Sequence, residues 1–386
     1  MTAQLPTIVV IGYNRPKSLS RLLGSLLKAH YPEGNVRLVI SLDNSGNPQP
    51  REVAEAFHWP HGEKRIIAHP QRLGLRQHVL SCGDLTEQYG DVIILEDDLF
   101  VSPYFYDYTR RALEAYADDD GVAGISLYSV QFSQTANLPF TPIDDGDSHV
   151  HFMQMAASWG QAWSRKHWQG FRQWLERHGS DLSQVDGIPP DIRAWPESSW
   201  LKLYNAYIII HDLYFVYPFR SLSTNFGDPG QHFNIASSRF QVPIQQQPID
   251  YRFGARADSI SVYDAFCELL PACVKRQNPK LASYDFTVNL YGCKKVDKGL
   301  QLTRTDARGV HNFSLSMKPM ELSILHDIEG EGLALIDSAS LDGASLSRPR
   351  TEYDIYRFFY KFPSLRIILF GVMERLQLLL KRVIPG

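Results

Sequence analysis

Val92-Ile93-Ile94-Leu95-Glu96-Asp97-Asp98 is the stretch on which the fold turns. Four apolar residues read as a strand buried on both faces, and three acidic residues follow without a break. Neighbouring carboxylates at a strand end repel one another, and a cation that neutralises them removes that cost. Mg2+ or Mn2+ takes oxygen ligands, commonly one or two carboxylates together with substrate phosphates. The triplet therefore points to a divalent ion bridging protein and diphosphate. Acidic residues after a strand also solvate turns or cap helices, and a Walker B strand ends similarly. The sequence has no GxxxxGKS/T loop and no Gly-Lys pair, so ATP phosphates would have no cradle.

The pattern repeats outward from this strand. Thr7 to Ile11 is an apolar, β-branched run, followed by Gly12-Tyr13-Asn14-Arg15-Pro16 and a helical stripe through Leu19, Leu22, Leu23, Leu26 and Leu27. Val36 to Leu42 is a second run, closed by the turn cluster Asp43-Asn44-Ser45-Gly46-Asn47-Pro48 and a helical stretch from Arg51 to Phe57. Ile66-Ile67-Ala68 makes a third. Strands alternating with helices at this spacing predict a mostly parallel α/β sheet covered on both faces, with ligands beyond the strands' C-terminal ends. Tyr13, Arg15, Asp43 and Glu96 to Asp98 all fall on that rim.

Composition narrows the class. A formal net charge of -3 offers no concentrated positive surface, so nucleic acid is not an expected partner. Cys82, Cys267, Cys273 and Cys293 show neither CxxC nor Cys/His spacing, which predicts reduced thiols rather than zinc or a disulfide framework. The N-terminus lacks a charged region followed by a cleavage site, and no run of about 20 apolar residues predicts a spanning helix. A cytoplasmic protein is expected. An aromatic content of 12 % suits sugar binding, although aromatics also fill interiors.

Ile93-Ile94-Leu95-Glu96-Asp97-Asp98-Leu99, then Val101, Pro103, Phe105 and Tyr108, resembles the strand, metal motif and following helix of N-acetylglucosaminyltransferase I and its bacterial relatives. Val9-Val10-Ile11-Gly12-Tyr13-Asn14-Arg15, Ser41-Leu42-Asp43-Asn44-Ser45-Gly46 and Leu75-Arg76-Gln77-His78 follow in the family's order, and the likeness covers roughly residues 5 to 235. It implies a GT-A fold, a Rossmann-like mixed sheet with helices on both faces, and an inverting, Mn2+- or Mg2+-dependent glycosyltransferase. Asp98 would be the metal ligand, Glu96 and Asp97 would face donor sugar and ribose, and Tyr13, Arg15, Asp43 and His78 would line the nucleotide site. Carboxylates accept from uracil N3–H, and Arg and His donate to carbonyl or phosphate oxygens. Arg15 also reads as a loop cation, and His78 as an ordinary histidine.

Trp159 and Gly160, within Ser158-Trp159-Gly160-Gln161-Ala162-Trp163, resemble the loop beside the donor sugar; core packing is the rival reading. An inverting enzyme needs a carboxylate to take the acceptor proton. Glu197 in Pro196-Glu197-Ser198-Ser199-Trp200 holds about the family's place, with Asp191 and Asp212 as rivals and a helix-start role as the alternative. Asn225-Phe226-Gly227-Asp228-Pro229-Gly230-Gln231-His232 resembles the closing loop, with His232 directed at diphosphate or metal, or else a glycine-rich turn.

The expected organisation is a glycosyltransferase domain over 1–245 (donor half 1–120, acceptor half 121–245), a linker at Gln245-Gln246-Gln247-Pro248, and a C-terminal α+β module over 246–350. Tyr284 to Tyr291 and Gly332 to Ile336 are its expected strands. An amphipathic basic helix occupies 351–386. The apolar positions of 364–386 suit a membrane surface at the cytoplasmic face, or docking on the protein itself or a second subunit. The expected activity is hexosyl or N-acetylhexosaminyl transfer from a UDP-sugar to a glycan or lipid-linked glycan, in bacterial surface polysaccharide or lipopolysaccharide synthesis. A sugar-phosphate nucleotidyltransferase or a non-catalytic glycan-binding subunit are the alternatives; the first lacks its Gly-rich N-terminal signature. Donor sugar, acceptor, linkage and oligomeric state leave no signature in one sequence.

Overall fold

The computed structural model describes residues 5–32, 35–228, 238–341, 348–361 and 363–383. The chain forms two compact units, Met1–Asp337 and Ser338–Gly386. The first opens with four parallel strands, β1 (Thr7–Gly12), β2 (Leu38–Leu42), β3 (Lys64–Ala68) and β4 (Val92–Glu96). Their connections carry α1 (Pro16–Leu27), α2 (Gln49–Ala56), α3 (Leu75–Gly83) and α4 (Thr86–Tyr89). β1 and β2 are buried at every residue and β4 at all but Glu96, while β3 at the sheet's edge is half-exposed. Unbroken apolar runs are what strands covered on both faces require.

The chain continues through β5 (Leu99–Val101), α5 (Phe105–Ala115), β6 (Val122–Ser126), β7 (Phe132–Ser133), β8 (Leu138–Pro139), β9 (Val150–Met153) and β10 (Gln161–Trp163). α6 (Arg165–His178), α7 (Pro190–Arg193) and α8 (Trp200–Ile210) then lead to β11 (Tyr214–Pro218), β12 (Ser223–Asn225) and β13 (Val262–Tyr263). Nine strands make one sheet in the order β13-β9-β11-β6-β10-β4-β1-β2-β3. β10 runs antiparallel between β4 and β6, and β9 antiparallel to β11, so the α/β sheet is mixed. The strand order moves outward from β1 to β3 and then returns to place β4 on β1's other side. At such a reversal the two connections leave in opposite directions and open a crevice beyond the carboxyl ends of β1 and β4.

The chain beyond residue 120 thus supplies five of the nine strands. Among them β10 carries Trp163, which is fully buried with ring centroids 4.5 Å from Trp168, 5.5 Å from Tyr204 and 5.7 Å from Trp200. For these tryptophans the packing reading is the one observed. Gln245 is also buried, its N–H donating to the Ser221 carbonyl at 2.7 Å and its carbonyl accepting from the Ser102 hydroxyl at 2.5 Å. The segment expected as a linker is therefore built into the first unit. β13, beyond the boundary expected after residue 245, completes the large sheet.

The rest of this unit holds α9 (Pro271–Gln277), β14 (Phe286–Asn289), β15 (Leu300–Thr305), β16 (His311–Ser314), α10 (Glu321–Leu325) and β17 (Gly332–Asp337). Its strands form a second sheet in the order β14-β15-β17-β16, in which β14 and β17 fall where strands were expected. Glu268 and Glu321 are buried here, and loss of water pushes their carboxyls up to about 8 and about 7. In the unfolded chain these groups ionise near pH 4.5, so unfolding releases protons between that pH and about 8, and stability falls as pH rises through this window. Chemical denaturation of the Glu268→Gln/Glu321→Gln protein between pH 5 and 8 is expected to show a flatter profile. A slope matching the parent would refute it.

The second unit contributes α11 (Arg348–Phe359) and α12 (Leu365–Val383). No helix among the described residues is long and apolar enough to cross a membrane.

Candidate active site

The β1–β4 crevice is lined by the residues that leave those two strands. Pro16 starts α1 directly after Arg15, so the fixed φ of proline sets the helix start and holds Arg15 at the mouth of β1. Arg15 reaches across to the end of β4, with its guanidinium paired to Asp97 and 3.0 Å from Asp98 Oδ2. Asp97 also accepts the Tyr13 backbone N–H. Burial alone would lower the Arg15 pKa, but the two carboxylates hold it above its ordinary value. The three expected neighbours thus meet in one cluster.

The triplet's members differ. Asp97 is the more enclosed, with 5 % of its side chain exposed against 17 % for Asp98. Loss of water pushes the Asp97 carboxyl up to about 6 despite Arg15. Glu96 is pushed up to about 8, first by loss of water and then by Asp98 and Asp97. Crowding three carboxyls beside one arginine leaves negative charge that the protein does not fully offset. Among the described residues no group of three His, Cys, Asp or Glu is placed to hold a metal unaided. The donor set is hard oxygen, and Asp98 is more accessible than Asp97. This fits Mg2+ or Mn2+ when ligand phosphate and water supply the remaining positions.

Asp43 follows β2, buried, and its carboxylate ties two loops together. Oδ1 accepts from the backbone N–H of Asn44 at 2.8 Å and Leu73 at 2.7 Å, while Oδ2 accepts from Gly74 at 2.9 Å. A carboxylate has about four acceptor sites, so Oδ2 retains one for a ligand. His78 lies deeper: it is 2 % exposed, its Nε2 is 2.8 Å from the Ser41 hydroxyl, and burial lowers its pKa to about 4. A neutral His78 inside the α3 packing supports the pocket's wall and does not open onto the crevice. The Tyr13 ring lies 5.3 Å from the Arg72 guanidinium carbon.

On the β10 side, the ring of half-buried Trp159 packs tilted against Tyr128 at 4.7 Å and Phe240 at 4.8 Å between centroids. Gly160 sits at φ 94°, and a Cβ there would lie 3.1 Å from Ser223 Oγ, so the turn into β10 needs glycine. Gln161 pairs with Ile94, two residues before Glu96, and so shares its sheet face. It is fully buried, and neither end of its amide has a hydrogen-bond partner among the described residues.

The segment approaching the expected closing loop is anchored to the same crevice. β12 pairs antiparallel with β5, and the Phe226 N–H donates to the Asp98 carbonyl at 2.9 Å. Asp228 accepts from Ser18 at 2.7 Å and pairs with Arg21, whose guanidinium carbon stands 3.7 Å over the Phe226 ring. Burial would raise the Asp228 carboxyl, but Arg21, Ser18 and Arg15 hold it below the ordinary range. His232 lies outside the described residues. Ser18, Arg21 and Asp228 carried no local signal: their partnership spans 210 residues of sequence.

Glu197 is placed elsewhere. Its side chain is 77 % exposed and 3.1 Å from Lys202 Nζ, in a surface hollow lined by Ser180, Asp181, Arg193 and Lys202, with no strand-end residue among its lining. Ser199, not Glu197, caps α8. Of the rivals, Asp191 accepts from Thr135 at 2.7 Å. Asp212 accepts from Gln154 at 2.7 Å and Tyr214 at 2.9 Å ahead of β11, at the end of the strands opposite the crevice.

No family model matches the chain, and no curated protein matches it in sequence. Several solved structures are similar. A mannosyltransferase from Pyrobaculum calidifontis in complex with GDP-Man and Mn2+ is 14 % identical over 56 % of this chain and 55 % of its own, at a TM-score of 0.36. Residues 1–349 of TarS from S. aureus are 12 % identical over 57 % of this chain and 60 % of theirs, at 0.36. GalNAc-T7 with UDP, GalNAc and Mn2+ is 13 % identical over 57 % and 43 %, at 0.40. The chain thus spans about half the length of these proteins. At these scores the likenesses carry no argument; the fold stands on the strand order and the site on its own geometry.

Proposed function

We propose that the chain is a glycosyltransferase that moves a hexosyl or N-acetylhexosaminyl group from a UDP-sugar to a glycan acceptor, with inversion, in the synthesis of a bacterial surface polysaccharide or lipopolysaccharide. The observation that carries it is the Arg15–Asp97–Asp98 cluster at the parting of β1 and β4, with Glu96 beside it. That arrangement offers a diphosphate both a guanidinium and a cation-accepting carboxylate. Arg15 would bind the donor's phosphate oxygens bidentately. Asp98 would hold Mn2+ or Mg2+, whose chemistry when bound is to stabilise charge on the departing nucleoside diphosphate. Glu96 would bond a sugar hydroxyl, while Asp43 Oδ2 would accept from the base and Trp159 would lie against the sugar's apolar face.

Calorimetric titration of UDP-sugars and GDP-Man, with and without Mn2+, tests the reading. Metal-dependent binding of a UDP-sugar is expected, and binding of no nucleotide sugar, or equal binding without metal, would overturn it. Glu197 is exposed and paired to Lys202 in a hollow whose lining holds no residue of the cluster, so this reading does not use it as the base. Glu197→Gln is expected to keep kcat within about threefold. A fall of about a hundredfold, the size of a lost general base, would restore the assignment.

A further inference from the structure

The second unit differs in charge and surface from the rest of the chain. Residues 338–386 carry eight Lys and Arg against four Asp and Glu, a net +4, whereas residues 1–337 carry 31 against 38, a net -7. Nine of the fourteen large hydrophobic residues that stand exposed among the described residues belong to α11 and α12, and a tenth, Tyr360, directly follows α11. On α12 the positions Leu365, Ile368, Leu369, Val372, Met373 and Leu376 share one side at helical spacing, and all but Ile368 are between 51 and 78 % exposed. Leu379, Leu380 and Val383 continue that register. Arg366, Glu374, Arg375, Lys381 and Arg382 take the other arc of the helix, which also carries the exposed Ile367 and Phe370. Tyr353 and Tyr356 of α11 and Tyr360 directly after it are also exposed, at the same spacing.

We propose that α11 and α12 lie in the plane of an anionic phospholipid surface, with the apolar side of α12 among the acyl chains, its basic arc at the headgroups and the α11 tyrosines at the boundary. An apolar stripe of this extent backed by basic residues is the pattern that partitions into anionic interfaces, and tyrosine rings settle at headgroup depth. Pairing α12 with a second copy would set two helices of net +3 side by side with one glutamate each against four basic residues, whereas anionic lipid supplies the opposing charge. The binding does not depend on the reaction at the β1–β4 crevice, and it would hold that crevice near acceptors carried on lipid.

Full-length protein is mixed with vesicles of phosphatidylcholine alone and of phosphatidylcholine with phosphatidylglycerol, then sedimented. Binding is expected to the second and to weaken with salt. Arg375→Gln/Lys381→Gln/Arg382→Gln is expected to lower the partition coefficient about one hundredfold at low ionic strength. Leu369→Glu/Met373→Glu is expected to abolish partition while leaving nucleotide-sugar affinity and the denaturation midpoint of the first unit unchanged. Equal binding to both vesicle types, full binding by the triple variant, or a solution dimer dissolved by Leu369→Glu/Met373→Glu without vesicle binding would overturn the proposal. A failure of nucleotide-sugar binding alone would overturn only the glycosyl-transfer reading.

Discussion

Asp98→Ala is expected to lower sugar transfer by about a thousandfold, equivalent to about 4 kcal/mol of transition-state stabilisation, with the thermal midpoint little changed. Asp98 is more accessible than Asp97, and Arg15 keeps Asp97 as a partner when Asp98 is removed. On the proposed reading the loss would fall on charge developing at the leaving diphosphate more than on folding. Asp98→Asn, which keeps the shape and discards the charge, should lose nearly as much. Initial rates titrated against Mn2+ provide the check. A variant that turns over at the parent's rate, or keeps the parent's Mn2+ dependence, would remove Asp98 from the mechanism.

The second large effect concerns stability. Trp163→Ala is expected to cost about 3 to 5 kcal/mol in chemical denaturation, the range for deleting a large buried aromatic side chain. Trp163 is fully buried on β10, against Trp168, Trp200 and Tyr204. No neighbour can fill that volume without leaving its own contacts. The same variant separates two readings of the chain's aromatic richness. A loss of sugar binding with stability intact would make Trp163 a ligand platform, whereas the geometry makes it a keystone of the core.

β1, β2 and β4 were legible in the sequence because strands buried on both faces must be uninterrupted apolar runs, and each run is closed by polar residues that mark its end; β3, half-exposed at the sheet's edge, showed only its Ile66-Ile67-Ala68. β10 was not legible. Its residues, Gln161-Ala162-Trp163, have no periodicity, and it becomes a central strand only because β4 and β6 flank it from positions 67 and 35 residues back. The same limit explains the site. Arg15, Asp97 and Asp98 could be assigned to one rim because each follows a recognisable strand. Ser18, Arg21 and Asp228 meet only through tertiary contact, and burial of His78 depends on how α3 packs over Ser41. Glu197 was placed by its proximity to Trp200, and the fold buries Trp200 while leaving Glu197 in water.

The bridge from Arg15 to Asp97 and Asp98 has a consequence for the order of events. The Arg15 guanidinium already offsets the charge of Asp98, so on the proposed reading a divalent ion alone would compete with Arg15 for that carboxylate. A diphosphate would give Arg15 a further partner and relieve the competition. Ion and nucleotide are then expected to assist each other, each raising the other's affinity by the same factor. The crevice would in that case act as a coincidence detector, holding metal only together with the donor.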